Sequence, residues 1–107
     1  MSGTTDDTLG RRLFQIQKEK AVEDALEKIR HRLGKEWNSV SASDSEVLKD
    51  ILGDVWTSID RQQWGTYRFS ALSINEINSL ITIGKEVKAK PPLTNDLLKS
   101  LDIILSK

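Results

Sequence analysis

Residues 9–37, LGRRLFQIQKEKAVEDALEKIRHRLGKEW, decide the fold class. The stretch contains no proline, and most of its residues are Gln, Glu, Lys, Arg, Leu or Ala, which have the highest intrinsic helix propensities. The sequence therefore predicts a long first helix from Leu9 to Glu36.

The apolar residues of this helix lie on two different faces. At about 100° of rotation per residue, Leu9, Leu13 and Ile16 fall together, and we call these three residues the N-terminal strip. The later apolar residues fall on nearly the opposite side: Val22, Ala25, Leu26, Ile29, Leu33 and Trp37. One straight helix packed on one core cannot bury both sets. Either the helix bends near Gln17 and returns the strip to the core, or its first half serves a second surface.

A second helix is predicted at about residues 44–62. Ser43 and Glu46 have the spacing of a capping box, and apolar residues then follow at helical spacing: Val47, Leu48, Ile51, Leu52, Val55, Trp56 and Ile59. Gly53 lies off this apolar face, where a glycine is either tolerated or permits a close helix approach. The pattern identifies this helix as a core element.

Two more helices are predicted after an aromatic connector at residues 62–72. Ser73 and Glu76 repeat the capping-box spacing, so the third helix begins at Ile74, and Pro91-Pro92 ends it. Thr94 is the expected cap of the last helix. The fold class is therefore all-α, a helical bundle of about four helices with a long first helix that is either bent or extended from the bundle.

Length and composition set the organisation of the chain. With 107 residues, one helical domain is expected over residues 9–107, preceded by a flexible N-terminal end at residues 1–8. The chain has no cysteine, no apolar run long enough for a membrane span and no apolar run typical of a secretory signal at its start. A cytoplasmic protein without a membrane partner is the expectation.

An enzymatic function is not expected. His31 is the only histidine, and it lies among cations on the polar side of the first helix, which is typical of a solvated surface residue. A single histidine is too few for a metal site built on imidazoles, and without cysteine no thiolate site is possible. Asp50 and Asp54 are interpreted as a solvated acidic face. The glycines are scattered singly, without a phosphate-binding motif. No catalytic residue, cofactor, metal or small-molecule ligand is predicted.

The formal net charge is zero, but the charges are distributed unevenly. Residues 9–37 carry a net charge of +3 and residues 38–64 a net charge of −3. We expect the basic first helix and the acidic second helix to neutralise each other. The alternative hypothesis is a nucleic-acid-associated regulator that contacts phosphates through basic residues of the first helix. Its candidate residues are Arg11, Arg12, Arg30 and Arg32.

Aromatic residues of the connector offer a second candidate surface. Trp64, Tyr67 and Phe69 fall outside any helical apolar face and lie near Arg61 and Arg68 in sequence. Trp, Tyr and Arg are enriched at interaction hot spots. The alternative is that the aromatic rings cover the open end of a small core, and the sequence does not decide between the two.

The N-terminal strip carries the main functional hypothesis. Together with Phe14, which lies on a different flank, Leu9, Leu13 and Ile16 form an apolar surface that the main core does not easily reach. Contiguous exposed apolar surface is typical of an interface. The sequence therefore predicts a small non-enzymatic protein-binding or regulatory protein whose partner includes a second copy of itself, because two-fold homodimers are the commonest assemblies.

Overall fold

The described part of the chain is built from five α-helices and contains no strand. The computed structural model describes the backbone of residues 2–106 and the side chains of residues 9–106. The helices are α1 (Ser2–Leu33), α2 (Ala42–Ser58), α3 (Arg61–Gly65), α4 (Ile74–Ala89) and α5 (Asn95–Leu105), with 3₁₀ turns at Gly34–Ser39 and Phe69–Ala71. The predicted all-α class and long first helix are confirmed. The short α3 adds one turn to the four main helices.

Helix α1 runs without interruption through Gln17. It ends at Leu33 and not at the predicted Glu36, because Gly34 adopts a positive φ of 56° that terminates the helix. Residues 34–39 then continue as a 3₁₀ turn. The helix already includes Ser2, whereas Met1 and the side chains of residues 2–8 lie outside the described part. The flexibility expected for residues 1–8 stays a prediction.

Helix α2 begins two residues before its predicted start. Ser41 is the N-cap, and its hydroxyl accepts a hydrogen bond from the Asp44 backbone N–H at 3.1 Å. The predicted capping box of Ser43 and Glu46 is therefore wrong, because the upstream serine satisfies the free N–H first. The helix also ends earlier than predicted, at Ser58.

The predicted starts of the last two long helices are confirmed. Ser73 accepts a hydrogen bond from the Glu76 backbone N–H at 3.3 Å, while the Glu76 carboxylate accepts one from the Ser73 N–H at 2.8 Å. This reciprocal pair is the capping box of α4. Thr94 caps α5 by accepting from the Leu97 N–H at 3.2 Å. Local hydrogen bonds thus fix both helix starts.

The core forms where α2 packs against α1 and α4, with α5 against α4 and the Phe69–Ala71 turn against α1. Closest approach of α2 and α4 occurs at Gly84, where a Cβ would come within 2.6 Å of a Val47 methyl carbon. Glycine is therefore required there by packing. The fully buried large side chains are Ile29, Leu48, Ile51, Leu52, Val55, Leu72, Ile77, Leu80, Leu101 and Leu105.

Charge neutralisation inside the fold agrees only in part with the predicted pairing of a basic α1 with an acidic α2. Lys18 of α1 acts on Asp54 of α2 in the predicted sense, whereas Glu23 of α1 lies 3.7 Å from Lys49 of α2 in the opposite sense. Two other acids of α2 are matched by α4: Lys85 reaches Asp44 at 3.1 Å and Lys88 reaches Asp50 at 3.2 Å. The acids of α2 are therefore matched by cations of both α1 and α4.

Helix α1 sets the shape of the molecule. The fold measures 51 × 28 × 27 Å along its principal axes. A helix of this length extends for about 48 Å at about 1.5 Å per residue, so α1 alone accounts for the long dimension. Its buried residues begin at Val22, and the part before that position extends along the edge of the bundle.

Candidate functional site

A three-residue cluster anchors the first half of α1 to the bundle. The Phe14 ring meets the buried Trp56 ring edge-on, with centroids 5.0 Å apart. Arg61 of α3 covers Trp56 with its guanidinium carbon 3.5 Å from the ring centroid, and its Nη1 donates to the Trp56 carbonyl at 3.0 Å. These contacts fix the rotation of α1 about its own axis. Phe14, expected to join the exposed apolar surface, is 41% exposed and also anchors this part of the helix through Trp56.

The N-terminal strip lies on the side of α1 that faces away from this anchor. Leu9 is 55% exposed, and Leu13 and Ile16 are each 53% exposed, against 41% for Phe14. Because α1 continues through Gln17 and these side chains stay in solvent, the strip is not returned to the core. The structure agrees with the second of the two sequence interpretations, in which the first half of α1 presents a separate surface.

Charged and polar residues flank the strip. Arg12, Gln17, Glu19 and Lys20 are all exposed. Gln15 Nε2 donates to Glu19 Oε1 at 3.3 Å, so the amide holds this carboxylate along the helix surface. The result is a narrow apolar centre with a charged rim, which is the usual composition of a protein interface.

A shallow groove separates this first half of α1 from α2. It encloses about 430 Å³ and is lined by both cations and carboxylates, among them Lys18, Lys49 and Asp50. Partial burial raises the pKa of Asp54 there, and the Lys18 cation opposes that shift. Gly53 lies directly under Lys18, whose Cε would be 3.0 Å from an added Cβ. The lining of this groove therefore mixes both signs of charge.

The aromatic connector is mostly buried. Tyr67 and Phe69 belong to the core, and Trp64 is half-buried with its ring centroid 5.0 Å from that of Phe69. The rings thus cover the core beside α1, which is the structural role weighed from the sequence. Arg61 and Arg68 lie exposed at its edge. A partner-binding role for this connector stays a prediction, with only its edge accessible.

Tyr67 also ties the connector to the last helix. Its hydroxyl donates to Asp102 Oδ1 at 3.0 Å, and Gln63 Nε2 donates to the same oxygen at 2.7 Å. Burial and the Asp102 carboxylate both raise the pKa of Tyr67 above its ordinary value. The arrangement keeps the phenol neutral and holds α5 against the connector.

The arginines of the nucleic-acid hypothesis do not form one surface. At about 100° per residue, Arg11 and Arg32 fall on the bundle side of α1, whereas Arg12 and Arg30 share another flank at opposite ends. Glu23, on this same flank, makes an ion pair with Arg30 at 3.5 Å. Arg30 also lies against Trp37, 5.9 Å from the ring centroid. No observation favours nucleic-acid binding, which stays a prediction.

The part of the chain that the structure describes shows neither a metal-binding cluster nor a membrane-spanning helix. No group of three or more His, Asp or Glu side chains there could hold a metal ion. None of its helices is both long and apolar enough to cross a membrane. Comparison with protein-family models, curated proteins and solved structures found no match. The candidate site therefore rests on geometry, and the N-terminal strip is its most distinct element.

Sequence reasoning missed the cluster of Phe14, Trp56 and Arg61. One signal was present, because Phe14 is in helical phase with Ala21 and Ala25, which face the bundle. Its contact with Trp56 joins residues far apart in the chain. Only the packing of α1 on α2 reveals that contact.

Proposed function

We propose that this protein is a non-enzymatic protein-binding protein that self-associates through the N-terminal strip. The observation that carries the proposal is the exposure of Leu9, Leu13 and Ile16 on one face of a continuous helix. Phe14 anchors the other side of this helix, so the strip cannot turn inward without breaking the contact with Trp56. A covering surface must then come from another molecule.

The expected association is weak, because the strip offers only three half-exposed side chains on each copy. Contacts of so small an area are typical of transient and reversible interfaces.

Sedimentation velocity over a concentration series, from about 10 to about 500 µM, tests the proposal. The wild-type sedimentation coefficient should rise with concentration, and Leu13→Asp should abolish the rise because a buried unpaired carboxylate is costly. Ile103→Asp is the matched control, since Ile103 lies on α5 and is 73% exposed. That variant should associate like the wild type.

The proposal fails if the wild type stays monomeric over the whole series. It also fails if Leu13→Asp associates as the wild type does while its circular dichroism shows an intact fold. A cytoplasmic location belongs to the same proposal and is supported by a sequence without cysteine, which is suited to a reducing compartment. Fractionation of the native cell checks that location.

A further inference from the structure

We infer that two copies pair through antiparallel first helices, with Leu13 of each copy opposite Ile16 of the other; this inference rests on the proposed self-association. The strip residues are spaced by four and then three, which is the spacing of the inward positions of a coiled coil. The same series continues to Lys20 and Glu23, both exposed on α1. The charges at these next positions decide the orientation of the pair.

A parallel pair places identical residues opposite each other. Beyond Ile16, Lys20 would then face Lys20 of the partner copy. Like charges at facing positions repel and disfavour the pairing. Extension of the contact beyond the strip is therefore blocked in the parallel orientation.

An antiparallel pair removes this conflict within the strip. With Leu13 opposite Ile16 of the partner copy, Leu9 lies opposite Lys20 of the partner copy. The methylene stem of a lysine can cover a leucine while its ammonium group stays in water. The apolar contact is thereby lengthened by one layer at each end.

The same register brings opposite charges together along one flank. Arg12 and Glu19 are seven residues apart, so they lie on the same side of the strip. In the antiparallel register Arg12 lies beside Glu19 of the partner copy, and the pair occurs twice by symmetry. Both side chains are exposed. Glu19 accepts from Gln15 through Oε1 alone, which leaves its second oxygen for the guanidinium group.

Neighbouring registers are less favourable. If Leu9 faces Leu13 of the partner copy, Arg12 comes beside Arg12 of the partner copy and the two repel. If Ile16 faces Lys20 of the partner copy, Leu13 faces Glu23 of the partner copy and loses its apolar neighbour. Charge complementarity therefore selects the register that pairs Leu13 with Ile16.

The bundle leaves room for this partner. The strip faces away from the Phe14 anchor, and its three side chains are more than half exposed. Further along α1, Glu23 pairs with Lys49 of α2 and Glu27 lies beside Ser70 of the connector, so the second helix is expected to cover the strip and not this later part. Each bundle then lies on the outer side of the helix pair.

A charge exchange tests the register. Arg12→Glu and Glu19→Arg should each weaken self-association about tenfold, since each turns two attractive pairs into two repulsive ones. The double variant Arg12→Glu with Glu19→Arg should recover the wild-type dissociation constant. Arg32→Glu, an equal charge change far from the strip, is the control and should leave association unchanged. A double variant no better than the single ones overturns the register.

Cysteine cross-linking tests the orientation, because the natural chain has no cysteine of its own. A mixture of Leu9→Cys and Lys20→Cys chains should form a mixed disulfide, while neither chain alone should cross-link. Cross-linking of Leu9→Cys chains with each other would indicate a parallel pair and overturn the inference. A mixture of Arg12→Cys and Glu19→Cys chains, joined by a short bismaleimide, repeats the test with the strip intact.

These outcomes separate the two proposals. If the wild type sediments as a dimer but neither mixture cross-links, the antiparallel register is wrong and self-association stands. If the wild type remains monomeric at all concentrations, self-association and the register both fail. Adding Leu13→Asp to the cysteine chains should abolish the cross-links, which shows that they depend on the strip.

Discussion

The two halves of α1 share one helix but have opposite relations to the bundle. In the second half, Ile29 is fully buried and the apolar residues face the core. In the first half, the strip residues face solvent, and Phe14 is the aromatic residue that contacts the bundle. A single helix can therefore serve as a wall of the core and as a separate surface. The change of apolar phase near Gln17 marks where one role gives way to the other.

The contacts of the second half of α1 explain why the N-terminal strip stays exposed. A helix with apolar residues on two sides could rotate to bury whichever side gains more. Here the second half has five buried apolar residues facing the core, Val22, Ala25, Leu26, Ile29 and Leu33. Phe14 adds an aromatic contact with Trp56, which favours the same rotation of α1. Because the helix is rigid, the strip must follow that rotation and stay outside.

The largest expected effect on stability comes from comparing the same change, Ile to Ala, in the two halves of α1. Ile29→Ala should lower the free energy of unfolding by about 2–5 kcal/mol, because it leaves a cavity in the core. Ile16→Ala should change it by no more than about 0.5 kcal/mol, as is usual for an exposed site. Urea unfolding at a protein concentration below self-association measures both. Equal losses in the two variants would mean that the halves are not distinct.

A second comparison concerns two glycines at the helix contacts of α2, Gly84 of α4 and Gly53 of α2 itself. Gly84→Ala should destabilise the fold by about 1–3 kcal/mol, because its Cβ would overlap Val47 and overpack the interface of α2 and α4. Gly53→Ala meets only the end of Lys18 and should raise stability by up to about 1 kcal/mol through helix propensity. Thermal unfolding followed by circular dichroism measures both. A stable Gly84→Ala variant would contradict the close approach.

Loss of the Phe14 anchor in the first half of α1 should have a smaller effect on stability. Phe14→Ala should lower the free energy of unfolding by about 1 kcal/mol, since it removes the edge-on contact with Trp56. Leu13→Ala, one residue away on the exposed face, is the matched control and should leave monomer stability unchanged. Urea unfolding distinguishes the two. Loss of stability in Leu13→Ala alone would reverse the assignment of the two faces.

An effect of similar size is expected in the connector that covers the second half of α1. Tyr67→Phe should cost about 1 kcal/mol at neutral pH, because it removes the hydrogen bond to Asp102. The raised pKa of Tyr67 means that its contribution is complete below about pH 10, the ordinary value for tyrosine, and is lost as the pH rises above it. The stability difference between wild type and Tyr67→Phe should therefore shrink in alkaline solution. A constant difference from pH 8 to about 12 would contradict the neutral buried phenol.

Local signals in the sequence predicted the elements best. The capping box of Ser73 and Glu76 and the cap at Thr94 involve residues three positions apart, so their geometry follows from the chain alone. The N-cap of α2 was harder to predict, because Ser41 and Ser43 are both serines and only Ser41 caps the helix. The positive φ of Gly34 ended α1 one turn early for the same local reason.

Non-local features could not be read from the sequence. The hydrogen bond of the Tyr67 hydroxyl depends on Asp102 of α5, and the anchoring of Phe14 depends on Trp56 and Arg61. The pairing of the α2 acids with Lys85 and Lys88 likewise requires α4 to pack beside α2. Each of these contacts joins residues that are far apart in the chain, and they meet only because the helices pack together.

The sequence by itself determined that this protein is all-α, where the last two long helices begin, and that the first helix has apolar residues on two faces. Those properties depend on propensity, capping and periodicity, which act over a few residues. Only the tertiary structure decided which face of α1 is buried, because that choice depends on the summed packing against α2 and the connector. The same packing placed Phe14 against Trp56 at 41% exposure and left Leu9, Leu13 and Ile16 more than half exposed.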